Sequence, residues 1–197
     1  MFFASDNGAS NEGGHDYAFF GSSGPLRGFK RCLTEGGIRT PLSVTWPGTI
    51  PAGVVSGWPT AFWDLGDTIL DMVGVPPSQW LHQDGRSIKD VLLSPSGQPP
   101  AGAAPASQIY IEFCTAVHPP LEPRTGKGWG FMLRNESLKI VSFFEDQAPR
   151  LYNLTEDVYE VHDIAGKHPH IVAEMLAAAK AAHRDSPTFP IKDCVGS

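Results

Sequence analysis

A long stretch without hydrophobic periodicity separates the first two strand-like segments of the chain. Residues 1–5 (MFFAS) are typical of the end of a buried strand, and residues 41–47 (PLSVTWP) predict a short strand between prolines. Residues 6–41 lie between them and are rich in glycine. A connection longer than about 12–15 residues usually carries function or is disordered. We therefore expect many turns and few long helices, and we look for the chemistry first in residues 6–41.

Hydrophobic spacing predicts an α/β region over residues 1–93. Within it, residues 62–74 carry four apolar side chains on one face at helical spacing: Leu65, Ile69, Met72 and Val73. Gly74 and the prolines that follow it end this helix, and residues 84–93 predict a shorter one. We expect the first strand to be of the parallel type.

The pattern changes after residues 94–107 (SPSGQPPAGAAPAS), which have the composition of a linker. Apolar residues then alternate at every second position and predict strands over 109–113, 129–134, 137–144 and 151–154, with a turn at Asn135 and Glu136. Residues 170–184 predict an amphipathic helix whose apolar face holds Ile171, Met175, Leu176 and Ala179. We expect residues 108–197 to form a compact α+β unit, a small antiparallel sheet packed by that final helix.

The composition argues against several classes of protein. The chain has 15 Lys and Arg against 21 Asp and Glu, a net charge of −6, whereas a general nucleic-acid binder carries a basic face. No run approaches the roughly 18 apolar residues of a membrane span, and no signal-peptide pattern is visible at the N-terminus. Cys32, Cys114 and Cys194 are widely spaced and odd in number, so we expect no disulfide framework.

Asp6 and Asn7 follow the first strand in the sequence Ser-Asp-Asn-Gly. Ligands of open α/β sheets bind at the carboxyl ends of strands. A carboxylate beside an amide oxygen suits Ca²⁺ or Mg²⁺ better than a soft metal. Asp-Asn-Gly is also ordinary turn chemistry. The residues alone therefore leave a metal site and a plain turn open.

A cationic, glycine-rich loop follows. Its cations are Arg27, Lys30, Arg31 and Arg39. Its glycines, which permit close approach of the backbone to a ligand, are Gly24, Gly28, Gly36 and Gly37. Such a loop after a candidate metal pair suggests an anionic ester as substrate; the alternative is a solvated loop in which Glu35 pairs with an arginine. His15, earlier in the stretch, is either an acid, base or hydrogen-bond donor or an ordinary polar residue.

The motifs together resemble the type I sulfatases, or arylsulfatases, of the alkaline phosphatase-like superfamily. They are SDNG, EGGHDYAFF and GPLRGFKRCLTEGGIRTPLSVTWPGTIPAG, followed by FWDLGDTILDMVGVP, by DGRS at 84–87 and by LYNLTEDVYE. The resemblance spans nearly the whole chain. It implies an alkaline phosphatase-like α/β sulfatase fold, of which this chain would be the C-terminal portion. It also implies sulfuric ester hydrolase activity on sulfated carbohydrates or aryl sulfates.

The resemblance further implies roles for single residues. Asp6 and Asn7 match two ligands of a single Ca²⁺. Lys30 matches the lysine that contacts the sulfate ester and stabilises charge on the leaving group, a catalytic and substrate-binding role. His15 lies where such enzymes contact the substrate, which would give it the same two roles. Two more residues match recurrent positions that support the site: Arg27 and Arg39. The family suggests a secreted, periplasmic or lysosomal location.

The chain departs from the family at the nucleophile. In these enzymes a formylglycine is made from Cys or Ser in a Cys-x-Pro-x-Arg-type motif, and no cysteine of this chain lies in one. We therefore expect a sulfatase fragment that is inactive alone, binds Ca²⁺ weakly or not at all, and has the N-terminal half of the same fold as its partner. Two alternatives stay open: an inactive remnant or sulfated-glycan-binding module, and a phosphoester or phosphonate ester hydrolase of the same superfamily.

Overall fold

The computed structural model describes residues 1–10, 12–79, 84–103, 108–114, 129–143 and 148–188. Its strands are β1 (Phe2–Ala4), β2 (Leu42–Val44), β3 (Ile109–Cys114), β4 (Trp129–Arg134), β5 (Leu138–Phe143) and β6 (Arg150–Asn153). Its helices are α1 (Glu35–Ile38), α2 (Phe62–Met72), α3 (Lys89–Leu93) and α4 (Pro169–Ala182). These elements lie where the sequence pattern predicts them, except for α1, which forms inside the cationic loop and has no periodic signal.

The C-terminal sheet has the strand order β3-β4-β5-β6, and both β4–β5 and β5–β6 are antiparallel. Asn135 closes the turn between β4 and β5. Its Oδ1 accepts hydrogen bonds from the backbone N–H groups of Ser137 and Leu138 at 3.1 and 2.7 Å. Asparagine favours turns because its side chain bonds the backbone a few residues further on. The predicted antiparallel sheet and its turn are confirmed.

Helix α4 packs on this sheet and closes its core. The buried members of the cluster are Phe131, Leu133, Ile140, Leu151, Met175 and Ala179. Ile171 and Leu176, also on the predicted face of the helix, pack against the cluster. Full burial of one such aliphatic side chain stabilises a fold by about 1.5–3 kcal/mol. The apolar face predicted for this helix is confirmed.

Strands β1 and β2 form a separate two-stranded sheet. The amino group of Met1 donates to the carbonyl of Thr45 at 2.7 Å, and the Thr45 N–H donates back to the Met1 carbonyl at 2.9 Å. Reciprocal hydrogen bonds between two opposed residues are the antiparallel pattern. The expectation of a parallel-type first strand is therefore wrong for this pair, because a short apolar run carries no information about strand direction.

Helix α2 buries a polar face. Its buried side chains are Asp64, Asp67 and Thr68. The Asp64 carboxylate accepts the Arg86 N–H at 3.0 Å, and the Thr68 hydroxyl accepts the Ile88 N–H at 3.0 Å. On the predicted apolar face, Val73 is 63% exposed. The predicted helix is confirmed, but its buried face is polar, since Asp64 and Thr68 satisfy the backbone N–H groups of Arg86 and Ile88.

The described residues group into two compact units. One joins Met1–Phe3 with Leu42–Ile109, and the other joins Ala4–Pro41 with Tyr110–Ser197. The boundaries expected from the sequence, with a linker at 94–107 between regions 1–93 and 108–197, stay a prediction. None of the helices in the described ranges is both long and apolar enough to cross a membrane.

Candidate functional site

The Ser-Asp-Asn-Gly turn after β1 is held by backbone hydrogen bonds against the cationic loop. The Gly8 N–H donates to the Gly37 carbonyl at 2.9 Å, and the Lys30 N–H donates to the Ala9 carbonyl at 2.7 Å. Inside the turn, the Ser5 hydroxyl donates to the Asn7 carbonyl at 2.8 Å. The structure therefore places the backbone of Lys30 beside the turn that carries Asp6 and Asn7, although 23 positions separate Asn7 from Lys30 in the sequence.

Glycine is required where the turn and the loop meet. A Cβ at Gly8 would lie 2.0 Å from the Gly36 carbonyl oxygen, and a Cβ at Gly36 would lie 2.3 Å from the Gly28 carbonyl oxygen. A Cβ at Gly37 would lie 2.2 Å from the Cys32 carbonyl oxygen. These glycines bring backbone segments of the protein together, which differs from the expectation that they approach a ligand. Their effect on the site is to fix the position of its loops.

Lys30 and Arg31 both pair with one carboxylate. Lys30 Nζ lies 2.7 Å from Glu12 Oε2, and Arg31 Nη2 lies 2.5 Å from Glu12 Oε1. All three side chains remain about one third or more exposed. The hydrogen bond from Lys30 holds the pKa of the Glu12 carboxyl below its usual value, and Arg31 contributes to the same shift. Two cations that are adjacent in sequence therefore share one carboxylate, that of Glu12.

His15 lies next to this group but does not contact it through its side chain. Its backbone N–H donates to the Glu12 carbonyl at 3.3 Å. Its ring stacks on Phe20, with the ring centroids 5.0 Å apart, and its Nε2 lies 3.2 Å from the Ser22 hydroxyl. The imidazole is exposed. Its predicted contact with a substrate stays a prediction.

Arg27 and Arg39 are used within the protein. The Arg27 guanidinium donates to the Tyr152 hydroxyl at 3.2 Å and to the Glu160 carbonyl at 3.1 Å. Arg39 donates to the Glu35 carboxylate at 3.3 Å. The alternative reading predicted such a pairing, but in a solvated loop, whereas Glu35 is 0% exposed. The supporting role that the resemblance implies for both arginines stays a prediction.

A buried group of charges connects the cationic loop with the C-terminal sheet. Lys139 on β5 donates to Glu35 Oε1 at 2.9 Å, and its Nζ lies 2.8 Å from Glu160 Oε1. The other Glu160 oxygen accepts the backbone N–H of Glu35 at 2.7 Å. At most 1% of any of these three residues is exposed. The loop that carries Lys30 is therefore attached to the sheet by ion pairs without access to water.

The two buried carboxyls are shifted in opposite directions. Burial alone raises the pKa of Glu35, but the charge of Lys139, its hydrogen bond and the nearby Arg134 outweigh burial and hold that pKa below its usual value. Burial raises the pKa of Glu160, and there the Lys139 charge offsets only part of the effect. Glu35 is thus the carboxylate that balances the buried lysine.

Asp6 and Asn7 fit Ca²⁺ by their chemistry. The Asp6 side chain is exposed and Asn7 is half-buried. Within the described part of the chain, no hydrogen bond donor or cation engages the Asp6 carboxylate. The described residues contain no group of three or more His, Cys, Asp or Glu that could hold a metal. Two hard oxygen donors are a minority of the about 6–8 that Ca²⁺ takes, so Asp6 and Asn7 alone could supply only part of a Ca²⁺ coordination shell.

Three residues that shape this region carry no signal in the sequence: Glu12, Lys139 and Glu160. Glu12 lies 18 positions before Lys30, so no local pattern connects them. Lys139 occupies a polar position of an alternating strand, which normally faces water. The sequence therefore does not show that Lys139 is buried, because its burial depends on the carboxylates of Glu35 and Glu160, which only the fold brings to it.

Comparison with known proteins identifies relatives of the chain. The family profile described as "N-sulphoglucosamine sulphohydrolase, C-terminal" matches residues 27–183. The N-acetylgalactosamine-6-sulfatase of Canis lupus familiaris is 38% identical over 98 residues, which cover 47% of this chain and 17% of that protein. The arylsulfatase of Hemicentrotus pulcherrimus is 40% identical over 103 residues, which cover 50% of this chain and 17% of that protein.

A solved structure shares the fold. The crystal structure of Ps i-CgsB in complex with k-i-k-neocarrahexaose superposes with a TM-score of 0.69 at 24% identity, covering 91% of this chain and 35% of that chain. The match to the curated relatives spans 17% of their length.

Proposed function

Because the chain belongs to the family of N-sulphoglucosamine sulphohydrolase C-terminal domains, we propose that it provides the sulfate-holding part of a sulfuric ester hydrolase. The substrate class is a sulfated carbohydrate or an aryl sulfate. One observation carries the proposal: the Lys30 N–H is bonded to Ala9 at 2.7 Å, beside the turn of Asp6 and Asn7. Backbone hydrogen bonds therefore hold the segment of Lys30, a cation, next to the turn of Asp6 and Asn7, which carry hard oxygen donors.

The chemistry assigned to this chain is binding and charge neutralisation. The Lys30 ammonium would bind a sulfuryl oxygen and stabilise negative charge as it develops on the leaving oxygen. Asp6 and Asn7 would hold Ca²⁺, which when bound supplies positive charge that neutralises and orients the sulfate. The buried pair of Lys139 and Glu35 keeps the loop of Lys30 in place. No nucleophilic step is assigned, because the 197 residues contain no Cys-x-Pro-x-Arg motif.

Relatives support the sugar as the substrate class. One is named for the 6-sulfate of N-acetylgalactosamine, and one solved neighbour is in complex with a neocarrahexaose. The chain's own contribution is the anion-binding part, which an aryl sulfate would engage equally well. We therefore propose that this part of the chain recognises the sulfate ester group and that the natural substrate bearing this group is a sulfated carbohydrate.

Isothermal titration with inorganic sulfate tests the proposal. We expect Lys30→Ala to weaken sulfate binding about tenfold, the usual scale for losing a charge-assisted hydrogen bond. Lys180→Ala is the matched control, because Lys180 is an exposed lysine of α4. Equal sulfate affinity in the Lys30 variant and the unaltered chain would exclude the proposed role of Lys30.

A further inference from the structure

We propose that Arg31 is the second cation of the sulfate site and that the Glu12 carboxylate occupies this site as an internal anion, which a sulfate ester displaces. The inference rests on the proposed function, since it assigns the same site one more binding residue and a competitor. Neither Arg31 nor Glu12 is among the site residues that the family resemblance implies.

The contacts of Glu12 show how an anion is held. Its two oxygens are divided between the two cations, Oε2 at 2.7 Å from Lys30 Nζ and Oε1 at 2.5 Å from Arg31 Nη2. A sulfate group likewise presents several oxygens on one central atom. Arginine and lysine are the side chains that bind such oxyanions, through charge-assisted hydrogen bonds. The pair can therefore take two sulfate oxygens in the way that it now takes two carboxylate oxygens.

The backbone at Arg31 brings the two cations to the same anion. Arg31 has a φ of 76°, in the left-handed region that side chains with a Cβ rarely adopt. Consecutive side chains of an extended segment point to opposite sides. The turn at Arg31, closed by the Cys32 N–H on the Phe29 carbonyl at 2.8 Å, lets both Lys30 and Arg31 reach Glu12. Residues in strained backbone conformations cluster at binding and active sites. The positive φ of Arg31 beside Lys30 therefore supports a binding role for this pair.

Glu12 is placed where it can leave. It is exposed, and two glycines with positive φ follow it, Gly13 at 65° and Gly14 at 85°. Among the described residues, and apart from its chain neighbours, no atom lies within 4 Å of the Cβ position of either glycine, so their packing does not restrain this turn. Ion pairs between exposed side chains are weak. A sulfate that also gains contacts elsewhere in the site can therefore replace the carboxylate without disturbing the core.

Titration of the full chain with inorganic sulfate and with an aryl sulfate tests the inference, using variants of Glu12, Arg31 and Lys30. Glu12→Gln removes the competing charge and keeps the shape, and we expect sulfate to bind about three- to tenfold more tightly. Arg31→Gln should weaken binding by a similar factor, and Arg31→Lys should recover part of the loss. Glu174→Gln on α4 is the control for Glu12→Gln, since Glu174 is also exposed.

The variants separate this inference from the proposed function. If Lys30→Gln weakens sulfate binding while Arg31→Gln leaves it unchanged, or while Glu12→Gln fails to tighten it, the inference is wrong and the role of Lys30 stands. If Lys30→Gln has no effect, the proposed function fails. The side chains of Glu12, Lys30 and Arg31 are exposed to solvent by about one third or more, and Glu174 is exposed as well. Circular dichroism of each variant confirms that a change in affinity is not a loss of fold.

Discussion

The ammonium group of Lys139 lies 2.9 Å from the carboxylate of Glu35, and neither side chain is exposed to solvent. Glu35 begins the short helix α1 in the cationic loop, and Lys139 is on β5 of the C-terminal sheet. The pair therefore joins two parts of the chain that are 104 positions apart. Together with the hydrogen bond from Arg27 to Tyr152 on β6, it fixes the loop of Lys30 to the sheet.

Replacing Lys139 is expected to destabilise the protein strongly. Lys139→Met leaves Glu35 and Glu160 buried without their shared cation, and breaking such a pair costs about 3–5 kcal/mol of the free energy of unfolding. Urea unfolding followed by circular dichroism measures this loss. Lys180→Met, on the exposed side of α4, should change stability by less than about 0.5 kcal/mol. A loss at Lys139 no larger than at Lys180 would show that the buried pair is not needed.

Glycine at position 36 is expected to be indispensable. In Gly36→Ala the new methyl group would lie 2.3 Å from the Gly28 carbonyl oxygen and 2.6 Å from that of Arg27, so the loop must move. We expect a loss of about 1–3 kcal/mol of stability together with weaker sulfate binding. Gly66→Ala in α2 is the matched control: outside the backbone of its own helix, its added methyl meets none of the described atoms within 4 Å, and alanine stabilises a helix interior by about 0.5–1 kcal/mol. Thermal unfolding of the two variants should shift in opposite directions.

His183, at the end of α4, is expected to titrate above its ordinary pKa. Its Nδ1 lies 2.7 Å from Glu112 and its Nε2 lies 3.1 Å from Asp185, and these two carboxylates raise the pKa of the imidazole. Glu112 also accepts hydrogen bonds from Tyr110 and Trp129. Because the pKa of His183 is higher in the folded than in the unfolded protein, the charged imidazole stabilises the fold. This stabilisation is fully present below pH 6.5, the pKa of the unfolded histidine, and is lost as the pH rises through the pKa of the folded state.

Proton NMR titration of the His183 ring measures this shift. We expect the pKa to lie above 6.5 in the unaltered chain and to fall in Glu112→Gln, which removes the first of its two partners. Glu174→Gln, elsewhere on α4, should leave it unchanged. A pKa of His183 at or below 6.5 would mean that the contacts with Glu112 and Asp185 do not stabilise the charged imidazole.

The sequence predicts the local elements well and the long-range contacts poorly. Alternating apolar residues locate the C-terminal strands, and Asn135 locates their turn, because both signals act between neighbours in sequence. The polar buried face of α2 carries no signal in the sequence, because Asp64 and Thr68 bond backbone groups about 20 positions away. The pairing of Glu12 with Lys30 likewise depends on the fold of an irregular loop. The pattern of charge suggests an anionic substrate near Asp6, Asn7 and Lys30 but leaves a plain turn and a solvated loop open, and the resemblance to a family is what assigns the three residues to one site.

The 197-residue chain is expected not to hydrolyse aryl sulfates. The resemblance to the type I sulfatases implies a formylglycine nucleophile, and the chain has no Cys-x-Pro-x-Arg motif in which one could be made. A colorimetric assay on an aryl sulfate with Ca²⁺ present measures turnover, and a chain that includes such a motif is the positive control. If the 197-residue chain hydrolyses the aryl sulfate and Lys30→Ala abolishes that turnover, the chain contains a nucleophile and our expectation is wrong.

The most direct test of the central claim is whether Ca²⁺ and a sulfate ester bind cooperatively. If Asp6, Asn7 and Lys30 act on one sulfate group, each ligand must increase the affinity of the other by the same factor. We predict that saturating Ca²⁺ tightens the binding of an aryl sulfate to the full chain several-fold in isothermal titration. Asp6→Asn should abolish this gain, whereas Lys30→Ala should weaken aryl sulfate binding with and without Ca²⁺. An aryl sulfate affinity that is the same with and without saturating Ca²⁺ would contradict the account.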